Sequence, residues 1–149
     1  MNWLVKEEPG SYSFDRLMED RGTDWSGVRN PLAQKHLRAI RRGDGVLYYH
    51  TGTERAVVGI ARAASDAAPD PADRTGRLAT VRIVPVKKLP RPVPLAALKA
   101  EPSFAQHPLV RMGRLSVMPV SDREWALILD HATRGDAGSE PPRTSRNKK

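Results

Sequence analysis

The chain contains no cysteine, which removes disulfides, thiolate nucleophiles and thiolate zinc sites together. No apolar run approaches the roughly 18 residues needed to cross a bilayer. The four histidines, His36, His50, His107 and His131, stand in no HxH or HExxH spacing, so no metal centre is expected. GxSxG, Walker and GxGxxG motifs are also missing. Glu7 and Glu8 are adjacent, so in a strand they point to opposite faces and cannot act as a catalytic pair. The same two acids stand where a secretory leader needs an apolar stretch, and a cytoplasmic protein is the expectation. No enzyme activity is expected.

What is present fits one soluble globular unit. The chain has 149 residues, 39% of them hydrophobic and 28% charged, enough to bury a single core. Its net charge is +8, with 25 basic against 17 acidic residues and a pI near 10.3. Eighteen of the cations are arginine, whose planar fork suits phosphates and base edges. Basic proteins of this size often meet polyanions, although a solvated basic surface gives the same pI. Residues 136–149, DAGSEPPRTSRNKK, hold no large apolar side chain and read as a flexible basic tail behind a domain of residues 1–135.

Strand signals fall at Trp3–Lys6, Gly45–His50, Ala56–Arg62 and Leu78–Val86, with a further piece at Leu115–Val120. Within the fourth, Val81 and Ile83 alternate with Thr80 and Arg82, so one side faces a core and the other water. Asn30-Pro31 opens a helix with a cap and a preset first turn, Ala33, Leu37 and Ile40 form its stripe, and Gly43 is its expected stop. Ser121-Asp-Arg-Glu124 is a capping box, Val120 can staple onto Trp125, and Trp125, Leu129 and Ala132 carry that helix to Gly135. A shorter helix follows Ser13 through Phe14, Leu17 and Met18, and Pro94 to Ala100 suits a turn or two. Prolines between 69 and 108 are expected to interrupt regular structure, and 66–77 to form a loop.

Three clusters could carry function, each with a duller reading. Asp24-Trp25-Ser26-Gly27-Val28-Arg29-Asn30 reads as a polar loop with a tryptophan ahead of a helix start, offering a stacking plate and free N–H donors; equally, Trp25 plugs the core and Asn30 only caps. Tyr48-Tyr49-His50-Thr51 closes a strand with Tyr48 and His50 on one face and Tyr49 on the other; His50 and Thr51 could meet a ligand edge, or His50 could be structural. Arg111, Arg114 and Ser116 surround a glycine with no acid between Gln106 and Val120, which leaves them open to a phosphate or a distant ion pair.

Taken in order, Trp3-Leu-Val-Lys6-Glu-Glu8-Pro9, Tyr12-Ser13, Trp25-Ser-Gly27-Val28-Arg29-Asn30, Gly43-Asp44, Tyr49-His50-Thr51, Gly59-Ile60-Ala61, Arg114-Leu-Ser116-Val, Pro119-Val120 and Glu124-Trp125 closely resemble the EVE domain family over about residues 2–130. The resemblance implies an α+β, PUA-like fold: a mixed, partly closed β barrel flanked by helices, close to YTH domains. It implies a reader of modified bases in DNA or RNA, without catalysis or cofactor. The base pocket would use Trp25 as a stacking wall, Asn30 as an edge reader, and Tyr49, His50 and Thr51 along the strand, with Lys6 and Ser116 at the rim. This sequence departs from the pattern at Leu32 and Gln34, where glutamine and arginine are frequent, and at Thr51, where serine is common.

Base stacking, worth roughly 1–3 kcal/mol, nearly cancels the few kcal/mol needed to extrude a base. Affinity is therefore expected from phosphate contacts by Arg29, Lys35, Arg38, Arg41, Arg111 or Arg114. The expected function is a non-enzymatic nucleic-acid-binding module that reads a flipped, modified base. The alternative is a nucleoside-like small-molecule sensor or a protein-interaction module using the same pocket.

Overall fold

A computed structural model describes residues 1–134. The tail expected over 136–149, the Gly135 helix stop and the end of the 1–135 domain lie outside the described residues.

The frame is a mixed sheet that curls into a half-barrel. Its strands are β1 (Asn2–Glu7), β2 (Thr23–Trp25), β3 (Gly45–His50), β4 (Ala56–Ala63), β5 (Ala68–Pro69), β6 (Ala79–Pro94) and β7 (Val117–Val120). They lie in the order β2-β6-β4-β3-β1-β7, with β5 paired to β6. Only β1 and β3 are parallel, aligned Asn2 with Gly45 through Glu7 with His50. A parallel pair needs a crossover, and α1 (Pro9–Tyr12), α2 (Phe14–Asp20), β2 and α3 (Pro31–Arg38) supply it. The remaining helices, α4 (Leu95–Lys99), α5 (Pro108–Arg111) and α6 (Asp122–Arg134), follow the long β6.

Local chemistry explains the helix starts. Asn30 Oδ1 accepts from the N–H groups of Leu32 and Ala33, both at 3.0 Å. Ser121 and Glu124 form the reciprocal capping box, at 2.8 and 3.0 Å. Ser13 Oγ caps α2 by accepting from Arg16 N–H. Trp3, Phe14, Leu17, Tyr48 and Ile83 are among the fully or nearly fully buried side chains of one core.

Several expectations are corrected. Trp25 is the last residue of a strand, facing Val81 of β6, and so does not stand in a polar loop. Helix α3 ends at Arg38 and closes through Ala39 N–H to His36 and Ile40 N–H to Leu37. Gly43 instead serves the turn into β3, at φ 93° with its N–H on the Ala63 carbonyl. Within the expected 66–77 loop, Ala68 and Pro69 pair with Thr80 and Ala79. On the solvent side of α2, Met18 is 43% exposed, so Phe14 and Leu17 alone form its buried stripe. Strand β7 begins at Val117, two residues later than the sequence suggests.

The largest difference is β6, which runs through Pro85, Pro90 and Pro92 to Pro94 where interruptions were expected. Proline cannot donate to a ladder and survives in sheets at bulges and edges. The β4–β6 register steps from Gly59–Lys88 to Val57–Val93, so residues 89–92 bulge away from the ladder, and two of the prolines sit in that gap.

Candidate nucleic-acid interface

The parallel pair delivers the carboxyl ends of β1 and β3 side by side. Lys6 lies opposite Tyr49, and Glu7 opposite His50. Thr51 N–H then continues the ladder to the Glu7 carbonyl at 3.0 Å, and Lys6 N–H reaches the Ser116 carbonyl at 2.9 Å. Lys6, Tyr49, Thr51 and Ser116, far apart in sequence, therefore share one end of the sheet. The Lys6 ammonium sits 5.6 Å from the Tyr49 ring centroid and donates to the Gly113 carbonyl at 2.9 Å. Burial lowers its pKa. Burial likewise raises the Tyr49 hydroxyl, opposed by the charge of Arg55.

The other face of β3 belongs to an aromatic cluster. Tyr48 meets Phe14 at 5.4 Å, Trp25 at 5.5 Å and His50 at 5.7 Å, all edge-to-face. Trp25 is only 6% exposed, and so offers no open ring face as it stands. The two tyrosines also differ in their polar ends. Tyr48 donates to the Tyr12 carbonyl at 2.5 Å. Tyr49 Oη, in a residue 3% exposed, finds no hydrogen-bond partner among the described residues, and neither does Trp25 Nε1. Buried polar atoms are normally satisfied by protein or by ordered water.

His50 is committed elsewhere. Its Nε2 accepts the Phe14 N–H at 3.0 Å, which assigns the ring proton to Nδ1, and that nitrogen faces Glu54 at 2.8 Å. Both nitrogens are occupied, and the ring holds the start of α2 against β3. Asn30 likewise uses its carbonyl oxygen on the helix it caps. Of the pocket candidates, the structure thus gathers Lys6, Tyr49, Thr51 and Ser116, and sets Trp25 and His50 behind them across the strand.

The phosphate candidates lie on exposed surface. From Arg29 to Gly43 the sequence holds five cations and no acid. Arg29, Lys35 and Arg41 are exposed and form no side-chain ion pair among the described residues. Arg38 donates through Nη1 to Gln34 Oε1 at 3.2 Å and to the Arg77 carbonyl at 3.1 Å. Arg111 is bound to Gln106 at 2.8 Å, and Arg114 is exposed beside Ser116. No group of three His, Asp or Glu side chains able to hold a metal occurs among the described residues.

The EVE domain profile matches residues 1–131. This chain belongs to the EVE domain family. Human thymocyte nuclear protein 1 is 27% identical to this EVE domain over 86% of this chain and 72% of that protein. A solved structure from Rhodopseudomonas palustris shares 40% identity at a TM-score of 0.84, covering 95% of this chain and 99% of that one. A crystal structure of human thymocyte nuclear protein 1 in complex with DNA containing 5-methylcytosine has the same fold, with a TM-score of 0.80 at 24% identity over 95% and 99% of the two chains. The mixed half-barrel with flanking helices is therefore the family's own architecture.

Two roles in this EVE domain escaped the sequence reading, that of Gln34, read there only as a departure from the family pattern, and that of Glu54. Gln34, 3% exposed, donates to the Val28 carbonyl at 2.6 Å and accepts from Ala79 N–H at 3.0 Å, tying the Trp25–Asn30 segment to α3 and β6. Its signal was available, since position 34 lies three before Leu37 on the buried face of the helix. Glu54, the partner of His50, sits four residues on in a turn and carries no recognisable pattern.

Proposed function

We propose that this EVE domain binds DNA and reads a modified base such as 5-methylcytosine, as a binding module that performs no chemistry and needs no cofactor. The observation that carries the reading is the human relative, alike over most of this chain, crystallised with 5-methylcytosine DNA. In this reading the extruded base meets Lys6, Thr51 and Ser116 at the end of the sheet, and Tyr49, whose ring is as closed off as that of Trp25, reaches it only through Oη. Trp25 acts from behind by holding Tyr48. Arg29, Lys35, Arg38, Arg41, Arg111 and Arg114 neutralise the strand, which supplies the affinity that base capture alone does not.

Buried in such a pocket, one methyl group contributes about 0.8 kcal/mol, roughly a fourfold preference. The test is a fluorescence-anisotropy titration of matched DNAs bearing cytosine or 5-methylcytosine, single- and double-stranded, with an RNA control, at about 50 and 200 mM salt. Binding that weakens steeply with salt and favours the methylated DNA several-fold is expected. Salt-independent binding, or equal affinity for both DNAs, overturns the reading, and preference for the RNA control transfers it to RNA.

A further inference from the structure

We infer that the cleft between α3 and the turn joining β5 to β6 seats one backbone phosphate of the bound strand, held by Arg38 and Arg77. The inference rests on the DNA-binding reading above and adds a specific contact to it.

The cleft is about 200 Å³ and is lined by Arg38, Ala68, Pro69, Gly76, Arg77 and Leu78, among others. That volume falls below the ~300–1,000 Å³ of ordinary small-molecule pockets, so it suits a single compact group better than a nucleoside. One of its two cations is held in place. Arg38 is anchored at one nitrogen by two acceptors, Gln34 Oε1 and the Arg77 carbonyl. Its other guanidinium N–H groups make no hydrogen bond to a described residue, so a fork remains for a bidentate acceptor. Gln34 is a positioning residue here, itself fixed by Val28 and Ala79.

Three acids share the neighbourhood, and none pairs with a guanidinium. Asp73 accepts the N–H groups of Thr75, Arg77 and Leu78 at 3.2, 3.0 and 2.8 Å. Asp70 accepts from Ala72 N–H and Asp66 from Arg42 N–H, both at 2.9 Å. Asp70 and Asp73 fold the turn, and it is this use that presents Arg77 to the cleft. Arg77 is exposed and its side chain has no partner among the described residues. The charged side chains lining the cleft are Arg38 and Arg77, both cationic, so the local field attracts an anion.

The experiment uses the full chain and one DNA, and measures log Kd against log salt for wild type, Arg77→Ala and Arg38→Ala. A companion scan replaces each phosphate in turn by a neutral methylphosphonate. Each substitution is expected to flatten the slope by about 0.9, one phosphate's worth on a duplex, while the methylated-to-unmethylated ratio holds. One scanned phosphate should cost wild type several-fold in affinity and cost Arg77→Ala nothing. Wild type and both variants binding DNA with the same slope, and a flat scan, overturn the phosphate seat alone. A wild type that binds no DNA overturns both this inference and the reading beneath it. Arg77→Ala removes no side-chain hydrogen bond or ion pair among the described residues, so its fold is not at stake.

Discussion

Tyr49 separates a structural role from a binding role more sharply than any other side chain here. Tyr49 is 3% exposed and its hydroxyl has no partner among the described residues, and a buried polar group left unsatisfied costs roughly 1–3 kcal/mol in a folded protein. Tyr49→Phe is therefore expected to leave the melting temperature unchanged or to raise it. If the hydroxyl meets a ligand acceptor, the same change weakens binding to methylated DNA by about 1 kcal/mol, roughly fivefold. Calorimetry and anisotropy on one variant check both arms, and a drop in melting temperature with unaltered affinity would show that the hydroxyl serves the fold. His50 behaves oppositely, because losing it strands the Phe14 N–H inside the protein. Residue type in the sequence exposed both side chains as candidates. Their difference lay in partners 36 residues upstream and four downstream, which no local pattern encodes.

At the scale of elements, legibility followed the range of the forces. Helices α3 and α6 could be read because their caps are contacts between residues two or three apart. Strand β3 was read to its last residue because an apolar run stops at Thr51. Strand β6 could not be read, since its path through four prolines depends on which residues of β4 pair with it and where the ladder bulges. The same non-local fit governs Gly59. A Cβ there would lie 2.5 Å from two carbons of the Phe14 ring, which is 1% exposed and seated beneath α2. Neither the ring nor the strand has room to move, so Gly59→Ala is expected to destabilise by about 1–3 kcal/mol through overpacking. Denaturant titration measures it, and Gly59→Ala with Phe14→Leu should recover part of the loss. No recovery would locate the cost in the strand backbone instead.

For the whole molecule, charge sets both its partner and its weakness. The excess of cations favours the proposed polyanionic partner, and in acid the groups held below their ordinary pKa turn against the fold, His107 and Asp44 among them. Burial depresses His107, outweighing Glu124 and the Pro119 carbonyl, and its Nδ1 accepts the Leu109 N–H at 3.0 Å. A histidine with a folded pKa below the unfolded value of about 6.5 adds stability that is complete above that value and is lost as pH falls through the folded one. For Asp44, burial pushes upward, yet the N–H groups of Arg41 and Trp3, both at 2.9 Å, help to carry its pKa below the usual carboxylate value. Its contribution is complete above about pH 3.9 and disappears as pH falls further. Stability should therefore fall in two steps as pH drops, the first below about pH 6.5, where His36, also lowered by burial, adds to His107, and the second below about pH 4. Histidine is replaceable there by a neutral side chain that still accepts and donates, so His107→Gln should flatten the first step and spare the second. Asp44→Asn should do the reverse while lowering stability at neutral pH, because only one of its terminal atoms can still accept. Melting temperatures across pH 3–8 for the three proteins decide the matter. Parallel curves for wild type and His107→Gln would remove His107 from the acid response and leave the first step to other groups.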